Sequence, residues 1–311
     1  MLPGMPGDWL KNQLRSAAFY CIVNGQELGF GHCLPTVMNL FRSKPDRRCE
    51  LKTFFAVSED GVQIAYDVNG SGEPIILLHG GGQTRQEWHN TGYVERLKRE
   101  FKVIAMDIRG NGESDKPTEP LDYGIGKHCR DILAVANACG IDRFSLWGFS
   151  YGGNIGRYLA AQSPRVFNFI MIGVTFGLGA SGDFRQWIID SRDHWIPILQ
   201  AKTDGRLDIH TLSQQDQDLL QKFDMPVTVA WTSGMLEWGS IEPGDIRCPT
   251  LWLAGSKNNV AMSGIREYEA KLKGSKVQVR IVQDLDHMQE LTEVDRVLPL
   301  MLSFARQYAA D

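Results

Sequence analysis

The segment Phe144-Ser145-Leu146-Trp147-Gly148-Phe149-Ser150-Tyr151-Gly152-Gly153 runs from a short apolar strand through a glycine-flanked serine into a helix. Arg143 to Trp147 is brief and bounded, while Asn154 to Ala161 carries apolar residues at helical spacing. In Gly-x-Ser-x-Gly the chain turns so sharply that a Cβ two residues either side of the serine would collide with the incoming strand or the outgoing helix. The serine hydroxyl is thereby pushed out above the sheet. The same turn aims the Tyr151 amide and the positive end of the following helix at whatever Ser150 attacks, so developing negative charge meets a donor. Ser150 is therefore the candidate nucleophile.

The flanking sequence supplies a sheet for this turn to sit on. From Thr53 apolar residues alternate: Phe55 and Val57, a turn at Glu59-Asp60-Gly61, then Val62 to Val68, the pattern of a β-hairpin. Pro74-Ile75-Ile76-Leu77-Leu78 is apolar at consecutive positions, as a central strand covered on both faces must be. It ends in His79-Gly80-Gly81-Gly82, where the backbone can approach a ligand closely and exposed amides can join that of Tyr151 in an oxyanion site; His79 is expected to shape this loop. A helix is expected over Glu87 to Arg99 and a strand over Lys102 to Met106. The loop Asp107 to Asp115 is acidic, but its glycines and the Asp107/Arg109 pair suit an internally hydrogen-bonded turn better than a metal cage. A helix over Ile125 to Cys139 and a strand over Val166 to Val174 follow. Strands alternating with helices imply an α/β class with a largely parallel sheet and right-handed crossovers.

Between Thr175 and Ile246 the alternation stops. About 70 residues without an obvious strand, with helical spacing near Phe184 to Gln200 and Ser213 to Phe223, suggest a helical cap over the strand ends. Its tryptophans (Trp187, Trp195, Trp231, Trp238) either line a pocket or pack the cap onto the core. The core resumes with Pro249 to Gly255, a helix around Met262 to Leu272, a strand over Lys276 to Val282, the loop Gln283-Asp284-Leu285-Asp286-His287 and a last helix from Met288 to Tyr308. The expected organisation is an irregular extension over 1–50, a core over 51–174 and 247–311, and a cap over 175–246. Residues 1–50 are rich in Gly and Pro among short apolar patches; Ala17 to Val23 is too short, and lacks a small-x-small site, for a signal peptide, and Met38 is an alternative start.

Composition narrows the function. In 311 residues, 43 % are hydrophobic and 23 % charged, the profile of an ordinary globular protein. A net charge of −4, with no run of Lys and Arg interleaved with aromatics, argues against nucleic acid. No stretch approaches the ~20 apolar residues of a membrane span. The six cysteines are scattered without Cys-x-x-Cys spacing and fit free thiols in a reducing compartment, so a cytoplasmic protein without metal or cofactor is expected.

A serine hydroxyl needs a base within hydrogen-bond reach, and histidine suits that task near neutral pH. His287 lies in the loop after the last strand, on the sheet edge that carries Ser150 if the sheet is parallel. Together His79-Gly80-Gly81-Gly82, Asp107-x-Arg109-Gly110-x-Gly112-x-Ser114, Gly148-Phe149-Ser150-Tyr151-Gly152 and the late His287 resemble the α/β-hydrolase family over about residues 53–309. The resemblance implies Ser150 as nucleophile, His287 as general base and acid, and the amides of Tyr151 and of Gly81, or else Gly82, as the oxyanion hole. It also implies acyl chemistry, since epoxide hydrolases and haloalkane dehalogenases of this family carry aspartate at the nucleophile position.

The third member of the triad departs from the family pattern. Where most relatives place an aspartate after the strand ending at Gly255, this chain has Gly255-Ser256-Lys257-Asn258-Asn259. Asn258 is the positional match, a neutral amide that can accept the imidazole N–H but stabilises an imidazolium less than a carboxylate does. Asp183, after the preceding core strand, is the alternative; Asp284 and Asp286 are near His287 in sequence but badly placed to orient it. The leading expectation is a cofactor-free serine esterase acting on small carboxylic esters or lactones. A carbon–carbon bond hydrolase or acyl transferase would use the same nucleophile, and a non-catalytic ligand-binding protein would account for the missing aspartate.

Overall fold

The computed structural model describes residues 52–308; the expected extension over 1–50 lies outside them. Eight strands form one sheet in the order β1-β2-β4-β3-β5-β6-β7-β8. They are β1 (Phe54–Val57), β2 (Gln63–Asn69), β3 (Glu73–Leu78), β4 (Phe101–Met106), β5 (Phe144–Phe149), β6 (Val166–Ile172), β7 (Thr250–Gly255) and β8 (Val277–Val282). The hairpin β1–β2 joins antiparallel and β2 pairs antiparallel with β4; every pairing from β4 through β8 is parallel. All five parallel neighbours beyond β4 thus end on one edge.

The consecutive apolar runs are explained by burial on both faces. Ile76 and Leu78 of β3 pack into one core with Leu146, Ile132, Val135 and Leu159. Their neighbours Ile75 and Leu77 face the opposite core with Trp147, Val103, Leu251, Val297 and Met301. Helices α3 (Ile125–Ala138) and α4 (Tyr151–Gln162) cover the first face, and α10 (Val294–Gln307) the second.

Two expected helices are each broken in two. In place of one helix over 87–99 there are α1 (Gln86–Asn90) and α2 (Tyr93–Leu97), separated where Gly92 takes φ +84°. The final helix is divided into α9 (Gln289–Thr292) and α10 at Glu293, whose ψ of 55° leaves the helical region. That break gives the residues just after His287 a short helical turn of their own.

Between β6 and β7 the chain forms α5 (Gly182–Thr203), α6 (Gln214–Lys222) and α7 (Met225–Gly234), the last a buried helix that the sequence reading did not pick out. A two-hydrogen-bond bridge between Gly177 and Ile241 closes the neck of this insertion. Helix α4 grips the same neck: the Arg157 guanidinium donates to Leu178 O at 2.6 Å, and Asn154 Nδ2 to Gly179 O at 2.8 Å.

The acidic loop after β4 is held by hydrogen bonds and ion pairs, but Asp107 and Arg109 do not pair with each other. Asp107 accepts from the Arg85 and Glu113 amides and pairs with the Arg85 guanidinium. Arg109 is completely buried and makes a two-pronged pair with Asp131 of α3, 2.6 Å on each prong, while reaching Asp60 of the hairpin turn at 2.9 Å. Removing one partner of such a pair leaves an uncompensated buried charge. Asp131→Ala is therefore expected to lower unfolding free energy by about 3–5 kcal/mol, read as a shift in the urea midpoint with little change in slope.

Candidate active site

Register brings the site together. Gly148 of β5 pairs with Leu78 at the end of β3, so the glycine loop and the serine turn emerge side by side. A Cβ on Gly148 would lie 2.5 Å from the Gly152 backbone, and one on Gly152 would strike Leu78 O. With both absent, Ser150 is held at φ 51°, ψ −117°, a conformation L-residues rarely adopt. Its amide donates to Ile172 O at 2.9 Å and the Gly152 amide to His79 O at 3.0 Å, tying the turn to the strands on either side.

His79 acts as a brace. Its Nδ1 donates to Gly80 O at 2.7 Å while Nε2 accepts from the Ile108 amide at 3.0 Å, which fixes a neutral tautomer. Burial, the largest influence, lowers its pKa and favours that state. Gly81 and Gly82 occupy the turn closed by Gln83 N to Gly80 O, where Gly82 has φ +67°; the Gly80 amide itself is taken by Gln83 Oε1 at 2.8 Å. Tyr151 opens α4, and its amide belongs to the first turn, whose N–H groups have no partner within the helix. Its hydroxyl lies 3.0 Å from His128 Nε2 and its ring packs against Trp231 and Trp238.

His287 Nε2 lies 3.0 Å from Ser150 Oγ, and both residues are buried. Phe149 stacks on the imidazole at 4.9 Å, limiting ring rotation. For Nε2 to accept the serine proton, Nδ1 must carry the ring hydrogen and needs an acceptor. That acceptor is Glu290, whose Oε2 is 3.0 Å from Nδ1.

Asn258 does not take the role expected of it. Its Oδ1 accepts from the Ala261 amide at 3.1 Å and caps α8 (Asn259–Leu272). The end facing His287 is Nδ2, 3.1 Å from Nδ1, where two donors meet, so no acceptor is offered. Nδ2 donates instead to both Glu290 oxygens, each at 3.0 Å, and to Gly173 O at 3.2 Å. Rotating the amide would turn its oxygen against the carboxylate and lose the helix cap, so this orientation is fixed by its neighbours. Asp183 lies exposed in the first turn of α5. Asp286 accepts from the Gln289 amide at 2.9 Å, and Asp284 pairs with Lys257 at the surface.

Glu290 is therefore the residue that the sequence reading missed. Fully buried, it accepts from the Gly255 amide at 2.6 Å, from Asn258 and from His287. Gly173, at φ +75°, makes the space: a Cβ there would strike Glu290 Oε2 and lie 2.8 Å from His287 Nδ1. The available signal was the His-x-x-Glu spacing, which on a helical turn puts both side chains on one face.

Burial raises the Glu290 pKa and outweighs the donors from His287, Gly255 and Asn258. A folded-state pKa above the unfolded one means that the ionised form costs stability at neutral pH, a cost that fades as pH falls through the folded value. The melting temperature of the parent relative to Glu290→Gln is accordingly expected to rise as the pH is lowered from 7 through the folded value, whichever melts higher at pH 7; thermal melts across that range check it.

A family model for the alpha/beta hydrolase fold matches residues 73–177. Over 125 residues the chain is 32 % identical to the soluble epoxide hydrolase of Corynebacterium sp., covering 40 % of this chain and 42 % of that protein. Over 126 residues it is 31 % identical to the 2-hydroxy-6-oxo-6-(2'-aminophenyl)hexa-2,4-dienoic acid hydrolase of Metapseudomonas resinovorans, covering 39 % and 42 %. The chain thus matches less than half the length of these relatives. In architecture it resembles a thermophilic esterase from Thermogutta terrifontis, with a TM-score of 0.64 at 21 % identity over 83 % of this chain and 100 % of that one. Among the described residues, no helix is long and apolar enough to cross a membrane.

Proposed function

We propose that this chain, which has the α/β-hydrolase fold, is a serine hydrolase that cleaves small carboxylic esters or lactones through an acyl-enzyme on Ser150. The observation that carries the reading is the relay from Ser150 Oγ to His287 Nε2 and from His287 Nδ1 to Glu290, each step 3.0 Å. Ser150 Oγ attacks the ester carbonyl carbon as His287 Nε2 takes its proton. Negative charge gathers on the carbonyl oxygen, and the amides of Tyr151 and of Gly81, or Gly82 in its place, are assigned as its donors. The tetrahedral adduct then expels the alcohol, which leaves with the proton held by His287. Water repeats the sequence, losing a proton to His287 and displacing Ser150, which takes that proton back as the acid leaves. Glu290 stays ionised throughout, and its charge favours the imidazolium form of each transition state.

Serine, rather than a carboxylate, at the turn supports acyl transfer over epoxide opening, because a serine adduct on an epoxide carbon is an ether that water does not readily cleave. The insertion over 175–246 is read as a cap, with Trp231 and Trp238 packed on Tyr151 beneath it. A carbon–carbon bond hydrolase is the second reading, favoured by the 31 % identity to the dienoic acid hydrolase.

The test is hydrolysis of p-nitrophenyl esters with acyl chains of varied length, beside a 2-hydroxy-6-oxo-dienoic acid. Ser150→Ala and His287→Ala are expected to lose about 10⁴- to 10⁶-fold in kcat, and Glu290→Gln about 10³- to 10⁴-fold. A fluorophosphonate should label the parent at Ser150. Folded parent protein that neither labels nor turns over any of these substrates would sink the proposal; turnover of the dienoic acid alone would favour the second reading.

A further inference from the structure

The acid that orients His287 comes from the helical turn after the histidine, while the position after β7 holds an amide. These two side chains form one tightly matched group. Asn258 Nδ2 is 3.0 Å from each Glu290 oxygen, and both reach the same atom: His287 Nδ1 is 3.1 Å from Asn258 Nδ2 and 3.0 Å from Glu290 Oε2. Both residues are completely buried, so water cannot adjust either partner's protonation or hydrogen bonding. With Glu290 ionised, the group holds one negative charge and one amide, and a second carboxylate in place of the amide would sit within hydrogen-bond distance of the first.

We propose that Asn258 and Glu290 are a single acid–amide unit in which either position can carry the charge that orients His287, provided that the other carries the amide. This inference rests on the serine hydrolase reading for its kinetic consequence but not for its structural one. Asn and Asp are isosteric, as are Gln and Glu, so exchanging them moves charge without moving heavy atoms. In Asn258→Asp/Glu290→Gln, the oxygen replacing Nδ2 lies 3.1 Å from His287 Nδ1 and becomes its acceptor, while the other oxygen keeps the cap on Ala261. The new amide at position 290 donates to that carboxylate, and its oxygen still accepts from Gly255. Two contacts are lost. Gly173 O at 3.2 Å and the Gly255-bound oxygen of residue 290 at 3.0 Å, which both accept from Asn258 Nδ2, would face an oxygen instead, so recovery is expected to be partial.

Three variants test this: Glu290→Gln, Asn258→Asp and the two combined. Two readouts are used, kcat and KM for an ester substrate, and the downfield imidazole N–H resonance that a histidine donating to a carboxylate gives in proton NMR. In Glu290→Gln the resonance should vanish and kcat fall while KM holds. In the double variant the resonance should return, and kcat should recover by roughly tenfold or more relative to Glu290→Gln. Asn258→Asp alone sets two buried carboxylates against each other, and should melt below both the parent and the double variant.

A folded double variant with no resonance and no gain over Glu290→Gln would overturn the inference. So would Asn258→Asp melting at or above the parent. If the resonance vanishes and returns as described but no variant, the parent included, hydrolyses an ester, the exchange stands and the proposed function fails.

Discussion

The site depends on a contact that no side chain could survive. The last turn of β5 and the first turn of α4 approach so closely that Gly148 and Gly152 must present bare backbone, one to the other and the second to Leu78. That approach leaves Ser150 in a strained conformation, stabilised by its amide bond to Ile172 and by the Gly152 bond to His79. Burial on both faces of β3 and β5 supplies the rigidity behind it, since the strands cannot shift to relieve the turn without opening two cores. The geometry of the candidate site is thus a by-product of packing: the hydroxyl stands where it does because the backbone has nowhere else to go.

A second constraint acts at the far side of the histidine. Glu290 is a carboxyl group without access to water: burial raises its pKa, and donors replace only part of its lost hydration. The Gly255 amide, the Asn258 amide and the imidazole supply them from two segments of chain, the connection after β7 and the loop after β8. Each of those segments begins or ends at the same sheet edge, which is why β7, the start of α8 and the turn of α9 converge there. Gly173 completes the arrangement from β6 by leaving a space.

How much of this the sequence revealed follows from how local each signal is. Ser150 was legible because glycine spacing, an apolar strand before it and a helical pattern after it all lie within twenty residues. His287 was legible from its place after the last strand of a parallel sheet. Glu290 was not, because the reading ran the final helix unbroken from Met288 and sought the acid after a core strand. The break at Glu293 gives His287 and Glu290 a separate turn, and nothing in a periodic apolar pattern reports one residue with a non-helical ψ. Asn258 was found at the right place and given the wrong end: whether an amide offers its oxygen or its nitrogen depends on neighbours 32 residues away in the chain. The division at Gly92 was a readable omission, since glycine beside threonine is a common helix stop.

The neck of the insertion carries a consequence of another kind. Gly177 and Ile241 exchange two backbone hydrogen bonds, and Arg157 and Asn154 hold the carbonyls of Leu178 and Gly179. Everything between those points is a closed excursion whose ends are already joined, so its length is decoupled from the register of β6 and β7. Loop closure entropy grows only slowly with length. The sheet and its relay are therefore a chassis onto which excursions of different size can be spliced at one junction without disturbing the register of β6 and β7.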